Sequence, residues 1–354
     1  MRSLATSFHI AGRPLGAGEP CYVIAEAGSN HDGNLDQALR LIDAAAAAGA
    51  DAVKFQTFSA DGLYSRNTPM IGYLKEQGLV RSGETVHDLM DRIAMPWQWH
   101  RRLVEHCGER GITFLSTPFE EAAVEELERV AVAAYKVASF EIGHLPLLRL
   151  IGQTGKPVIL STGMAGLGDI ERALETLQAA GCRQVALLHC AIGYPPSFQD
   201  LHLRALQTLQ QAFGCPVGFS DHSTGLTAPV AAVALGAALI EKHFTLDRSR
   251  PGPDHHFSLE PGELRQMVQA VRDCQVALGS GVKYRTAAEE ELYRKARRSL
   301  VARVAIPRGQ IIEADMLAVK RPGTGVPPHL SDWIVGRPAR RDIAADEVIM
   351  PNMV

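Results

Sequence analysis

Two histidines in this chain carry the first chemical suggestion. His222 closes the run Phe219-Ser-Asp-His222 and His243 closes Leu239-Ile-Glu-Lys-His243, with an alanine-rich helical stretch from Gly225 to Gly236 between them. One strand-helix-strand unit of a parallel sheet brings both imidazoles to the same sheet edge, where two neutral rings converging are candidate metal ligands. A single histidine at a strand end is more often a hydrogen-bonded structural residue; two on adjacent strands reverse that preference. No cysteine stands near either in the sequence. Oxygen from water or substrate would then complete the coordination sphere, which suits Mn2+ or Mg2+ better than structural zinc. His31 and His189 are weaker candidates, and His255 and His256 read as loop residues in solvent or interface contacts.

Lysines come next. Lys54 and Lys136 lie inside otherwise apolar runs, and buried lysine needs a carboxylate or an anionic ligand. A purely structural arrangement would pair them with Glu26 or Glu141. With Ser139, Ser161 and Ser220 as hydroxyl donors, two inward ammoniums instead make a pocket for a carboxylate and a phosphate. Glu26 and Glu141 are the acid/base candidates. Lys54 and Gln56, Ser139 and Glu141, and Ser220 and His222 are i, i+2 pairs, so each pair shares a face if its strand continues. Lys136 and Ser139 are out of phase, so a bulge or a strand end must intervene if both point inward.

The elements that would position these groups repeat along the chain. A helix, a glycine and a strand recur at Ala47 (AAGADAVKFQT), Glu109 (ERGITFLST), Ala179 (AAGCRQVALLHC) and Ala234 (ALGAALIEKHF), the signature of a parallel sheet. Apolar runs at Tyr22–Ala25, Ala52–Gln56, Thr113–Ser116, Ala134–Ser139, Pro157–Ser161, Val185–His189, Pro216–Ser220 and Leu239–His243 predict eight strands. Eight strands with intervening helices match a (β/α)8 TIM barrel, whose sites form at the C-terminal strand ends; an open doubly wound sheet is the alternative. Here those ends carry Glu26, Lys54, Ser116, Lys136, Ser161, His189, Ser220 and His243.

Leu35 to Ala48 has helical spacing and stops at Gly49, and Ser59 to Pro96 reads as a long loop over the barrel mouth. A helix from Pro261 to Gly279 covers the barrel. The expected division is a barrel over residues 1–280, a linker over 281–297 and a small, mostly β domain over 298–354. That last domain needs a packing surface to be stable. Strands are expected there at Ser299–Ala305, Ile311–Ile312, Trp333–Pro338 and Ile343–Met350, and the residues before Tyr22 read as a polar leader.

A formal charge of −3 over 354 residues provides no basic field for nucleic acid or an anionic membrane, so any anion site must be local. Six cysteines without CxxC spacing, and an opening without a signal peptide, read as reduced thiols in a cytoplasmic protein. No apolar run approaches the roughly 20 residues of a membrane span.

Taken in order, the blocks Glu26-Ala-Gly-Ser-Asn-His-Asp-Gly33, Val53-Lys-Phe-Gln-Thr57, Ser116-Thr-Pro-Phe119, Tyr135-Lys-Val-Ala-Ser-Phe-Glu141, Leu160-Ser-Thr-Gly-Met164, Ser220-Asp-His222, Glu241-Lys-His-Phe244 and Arg250-Pro-Gly-Pro-Asp254 resemble the sialic acid synthases. Those enzymes condense phosphoenolpyruvate with an N-acylated mannosamine-type sugar. The tail, with Val319-Lys-Arg-Pro-Gly-Thr-Gly325, resembles their antifreeze-like SAF (β-clip) domain.

The resemblance implies that His222 and His243 hold a divalent metal, Mn2+ first and Mg2+ or Co2+ as alternatives. It implies that Lys54, Lys136, Ser139, Ser161 and Ser220 hold phosphoenolpyruvate. Gln56, Glu141, Tyr194 and Asp254 would meet the sugar, with Arg321 reaching in from the SAF domain of a partner in a domain-swapped homodimer. Where N-acetylneuraminate enzymes carry an Asn two residues before the tyrosine, this chain has Ile192, so the resemblance carries no phosphate contact there. The implied product is an N-acetylneuraminate- or legionaminate-type nonulosonic acid, with pseudaminate the alternative and the selecting residues expected in loops 62–86 and 190–200. A metal-dependent aldolase on the same barrel would explain two histidines and a phosphate pocket but not the SAF-like tail. A non-catalytic sugar-binding protein would leave the inward lysines costly without a ligand.

Overall fold

A computed structural model describes residues 3–70, 72, 74, 81 and 83–354 of the chain. It divides into two compact units, Met1–Gly279 and Ser280–Val354. The first opens with an antiparallel hairpin of β1 (Ser7–Ile10) and β2 (Arg13–Gly16). Eight parallel strands follow: β3 (Tyr22–Gly28), β4 (Ala52–Thr57), β5 (Thr113–Pro118), β6 (Tyr135–Val137), β7 (Val158–Ser161), β8 (Val185–Cys190), β9 (Val217–Asp221) and β10 (Leu239–His243). Hydrogen bonding runs β5-β4-β3-β10-β9-β8-β7-β6, and the two end strands, β5 and β6, lie side by side. Strand order around this nearly closed ring is sequence order. A doubly wound sheet would reverse direction at a switch point, so the TIM-barrel reading holds and the open-sheet alternative fails.

Each barrel strand is followed by a helix that seals the outer face: Leu35–Ala48, His100–Arg110, Glu121–Arg129, Leu145–Gln153, Leu167–Ala179, Ala205–Phe213, Thr227–Ala234 and Pro261–Leu278. The first shows how locally these are specified. Asn34 caps it by accepting the Gln37 N–H at 3.0 Å, Leu41, Ile42 and Ala45 bury its inner stripe, and Gly49 ends it at φ 82°, a left-handed conformation that favours glycine.

Inside the ring, side chains alternate. Tyr22, Ile24, Ala52, Leu115, Ala134, Ile159, Ala186, Leu188 and Leu239 form an apolar lower layer, and Phe8, Ile10 and Leu15 of the hairpin pack into it. The stretch read as a polar leader is therefore a hairpin packed on the barrel interior, its period-2 pattern being too short to stand out.

Several boundaries differ from expectation. β6 ends at Val137 instead of Ser139, and a 3-10 turn follows at Ser139–Glu141, so the out-of-phase Lys136 and Ser139 are reconciled by a strand end. The Ser59–Pro96 stretch contains helices at Ala60–Leu63 and Val86–Ile93. In the second unit β11 (Ser299–Ala302) pairs with β12 (Leu317–Lys320), and isolated bridges join Ile306 to Ile343 and Val301 to Val348. Trp333, expected in a strand, lies in a one-turn helix, Ser331–Ile334, whose Ile334 reaches a core with Leu300, Ile306, Ile312 and Ile349. The stretch 280–295, expected as a linker with helix, does contain helical elements: a 3-10 turn at Ala287–Glu289, then a helix at Glu290–Ala296.

β9 and β10 are also held together by charge. Lys242 Nζ donates to Asp221 Oδ2 at 2.6 Å and to the Ser223 carbonyl, and both charged side chains are fully buried. Removing one member strands the other in low dielectric. Lys242→Met should cost about 3–5 kcal/mol in urea or thermal unfolding, and adding Asp221→Leu should recover most of that loss.

Candidate active site

The upper layer of the barrel interior is as polar as the lower one is apolar. Continuing the same inward phase, β3 presents Glu26, β4 Lys54 and Gln56, β5 Thr117, β6 Lys136, β7 Ser161, β9 Ser220 and β10 Glu241 and His243. They line one cavity of about 620 Å3 at the C-terminal strand ends.

Four charges make its floor. Lys54 Nζ lies 2.7 Å from Glu26 Oε2 and 3.8 Å from Glu241 Oε1, and donates to Thr117 Oγ1 at 3.0 Å. Lys136 Nζ donates to Ser161 Oγ at 2.8 Å and lies 3.6 Å from the same Glu241 oxygen, which also accepts from Ser220 Oγ at 3.2 Å. Gln56 donates to Glu26 Oε1 at 2.9 Å. Of the two carboxylates a purely structural pairing offers, Glu26 does meet Lys54, and Glu241 is the further carboxylate that bridges the two lysines. Sequence reasoning quoted Glu241 without giving it a role; its i−2 spacing from His243 on β10 was the available signal.

Burial sets the protonation of this cluster. It would lower Lys54, but Glu241 and Glu26 outweigh it and raise that pKa. For Lys136 desolvation wins over Glu241 and the pKa falls. Desolvation would raise Glu241, but Lys136 and Lys54 pull it down. Glu26 is pushed up to about 7 by burial, against the pull of Lys54. Glu141, at the end of the 3-10 turn, is 8 % exposed, its Oε2 has no hydrogen bond, and burial pushes it up to about 7.

Ser139 starts that turn and accepts the Gly163 N–H at 2.9 Å, so it is fixed to the loop after β7. On the other side of the cavity the His222 and His243 rings lie 5.1 Å apart between centroids, tilted by 44°. Burial lowers both pKa values, His222 to about 3, so both rings are neutral and each keeps one nitrogen lone pair. His243 Nδ1 is buried without a hydrogen bond, 3.9 Å from Asp254 Oδ2. These features fit a divalent cation whose remaining ligands are not protein. No group of three or more His, Cys, Asp or Glu able to hold an ion occurs among the described residues. Cys190 Sγ approaches His222 Nδ1 at 3.8 Å, correcting the expectation that no cysteine is near.

Tyr194 packs edge-on against His222 with centroids 4.9 Å apart, and Asp254 accepts from Ser29. The Asp254 carboxylate occupies the space beside Gly28, at φ 51°, where a Cβ would come within 2.6 Å of Oδ2. His189 turns away and meets the Leu201 carbonyl at 2.7 Å. His255, read as a loop residue, is 1 % exposed and bonded on both ring nitrogens. Ile192 lines the cavity. The 190–200 loop is described throughout, whereas residues 71, 73, 75–80 and 82 of the other proposed selecting loop lie outside the described residues. Arg321 belongs to the second unit, where its Nε donates to the Ala296 carbonyl at 2.7 Å.

Residues 41–283 match the NeuB family and residues 297–354 the SAF domain. The N,N'-diacetyllegionaminic acid synthase of Campylobacter jejuni is 40% identical over 92% of this chain and 98% of its own length. Among solved structures, the spore coat polysaccharide biosynthesis protein SpsE of Bacillus subtilis is 39% identical with a TM-score of 0.67, covering 98% of this chain and 99% of that one. An N-acetylneuraminic acid synthetase of Leptospira borgpetersenii is 34% identical with a TM-score of 0.73, covering 82% of this chain and 96% of that one. The charged barrel mouth described above and a tail matching the SAF domain therefore sit in a chain that belongs to the NeuB family of sialic acid synthases.

Proposed function

We propose that this enzyme condenses phosphoenolpyruvate with an unphosphorylated acylamino sugar and water, in the cytoplasm, releasing phosphate and a nonulosonic acid of the legionaminate or N-acetylneuraminate type. The observation that carries this reading is the buried Lys54–Glu241–Lys136 bridge beside two neutral, converging imidazoles. Buried ammoniums are costly unless an anion compensates them; Lys54 has Glu26 at 2.7 Å, whereas Lys136 is left with a 3.6 Å approach to the Glu241 oxygen that Lys54 also faces.

In this reading Lys54 and Lys136, with Ser139, Ser161 and Ser220, neutralise and orient the carboxylate and phosphate of phosphoenolpyruvate. Gln56, Tyr194 and Asp254 orient the open-chain sugar so that its aldehyde carbon faces C3 of phosphoenolpyruvate. A divalent ion held by His222 and His243, Mn2+ first and Mg2+ or Co2+ as alternatives, would supply Lewis-acid polarisation of the aldehyde oxygen. As C3 attacks, positive charge develops at C2, water adds there, and phosphate leaves by C–O cleavage. Glu141 is the better candidate to take the proton of that water. Both carboxyls are raised to about 7, which suits proton transfer, but Glu26 is engaged by Lys54 at 2.7 Å and by Gln56 at 2.9 Å, whereas Glu141 Oε2 has no hydrogen bond. Arg321 would be supplied by the SAF domain of a second copy in a swapped homodimer.

The acceptor's far end is addressed by the cavity's other wall, which is apolar: Phe58, Leu63, Leu74, Met90, Ile93 and Phe119. Among the described lining residues the cations are Lys54 and Lys136, both deep and both near carboxylates. That wall favours a 6-deoxy, bis-acetamido sugar over N-acetylmannosamine, by up to about a hundredfold for an extra hydroxyl, and disfavours a sugar phosphate more strongly. The name of the Campylobacter jejuni relative, N,N'-diacetyllegionaminic acid synthase, is in keeping with this choice.

Phosphate release from phosphoenolpyruvate, with Mn2+ and each acceptor offered separately, tests the reading. Release is expected with a diacetamido-trideoxyhexose and should fall about a hundredfold or more in His222→Ala. No release with any acceptor would overturn the assignment. Glu141→Gln should lose about 10²–10⁴ in kcat.

The same substitution has a stability signature. Because the folded-state pKa of Glu141 lies above the ordinary 4.5, the folded protein binds the extra proton, and stability falls as pH rises from about 4.5 to 7. Glu141→Gln removes that loss. Its thermal stability should match the wild type near pH 4.5 and exceed it above pH 7, by an amount on the order of 2–3 kcal/mol at most.

A further inference from the structure

One carboxylate staples the first and last loops of the barrel mouth together. Asp32 lies in the loop after β3 at φ 51°. Its Oδ1 is 2.8 Å from His255 Nε2, while its Oδ2 accepts from Arg250 Nη1 at 2.9 Å and from Gln37 Nε2 at 2.7 Å. His255 is in turn tied by Nδ1 to Thr245 Oγ1 at 2.7 Å. The two residues held by Asp32 in the loop after β10 bracket Asp254: Arg250 precedes it, His255 follows it, and Pro251-Gly252-Pro253 lies between. Gly252 sits against the His255 ring, where a Cβ would come within 2.6 Å of Cδ2, so this short segment has little room to swing.

Asp254 itself faces the cavity, 3.9 Å from His243 Nδ1, whereas Asp32 and His255 are not part of the cavity wall. We propose that Asp32 and His255 are positioning residues for the acceptor sugar, acting through Asp254 by clamping both ends of the segment that carries it. The inference rests on the synthase reading, in which Asp254 meets the sugar. Hydrogen bonds to a charged carboxylate are strong enough to define such geometry, and a misplacement of about 1 Å at a reacting centre can cost about a hundredfold.

Steady-state kinetics of the full-length enzyme with Mn2+, varying sugar and phosphoenolpyruvate separately, tests the role. Asp32→Ala is expected to raise the sugar KM about tenfold or more and leave the phosphoenolpyruvate KM within about twofold. His255→Gln, which keeps a side-chain donor toward Asp32, should recover part of what His255→Ala loses. In the cycle with Asp254→Ala, removing Asp32 should cost the sugar KM nothing further once Asp254 is gone. Arg250→Gln releases one partially exposed arm of the staple and provides a milder variant should Asp32→Ala fold poorly. Additive losses in the cycle, or KM values for both substrates rising in parallel, would overturn the positioning role while leaving the synthase reading intact. A wild-type enzyme that turns over no acceptor would overturn the synthase reading and the positioning role with it.

Discussion

Two buried ammoniums sharing one buried carboxylate constrain everything around them. Lys54 and Lys136 both approach the same oxygen of Glu241, and among the described residues only Lys54 has a second carboxylate, Glu26, within ion-pair distance. Such a cluster is not a source of stability, since well-packed apolar side chains of similar volume would do as well or better. In the proposed reaction an arriving substrate anion offsets that cost. The cluster also requires walls that exclude water, precise inward phase on at least four strands, and hydroxyls placed to complete the hydrogen bonds. Thr117, Ser161 and Ser220 meet that last requirement.

The barrel meets the requirement by splitting its interior into layers. Period-2 alternation puts an apolar layer at the start of the strands and a charged layer two residues further on, and the N-terminal hairpin packs its own apolar side chains into the lower layer. Low dielectric below and beside the charges strengthens their mutual interactions, keeps His222 and His243 neutral, and pushes the Glu141 carboxyl toward neutrality. A different device orders the loops. Gly28 makes room for Asp254, the strand end at Val137 frees Ser139 and Glu141 to turn inward, and Asp32 ties the first loop to the last.

Much of this was legible in the sequence, for definite reasons. Glycine-terminated helices and apolar runs are local signals, so the eight strands and their charged ends could be read directly, as could the cavity's lysines and histidines. Glu241 was missed because alternation was applied to β4 and β9 but not to β10, where His243 already fixed the phase. The hairpin escaped because four-residue strands with one or two buried side chains each look like polar coil. The 3-10 turn at Ser139–Glu141 and the roles of Asp32 and His255 depend on contacts between residues far apart in the chain, which no periodicity encodes. The helix at Trp333 shows tertiary context overriding an apolar run.

The most direct measurement is calorimetric titration of the enzyme with phosphoenolpyruvate in the absence of sugar, comparing wild type with Lys136→Met. Lys136 is the lysine to remove because its loss leaves Glu241 still paired with Lys54. Saturable binding by the wild type is expected, weakened about ten- to a hundredfold in Lys136→Met without loss of thermal stability. Equal affinity in the two proteins would contradict the claim that this buried charge exists to hold the substrate's anion.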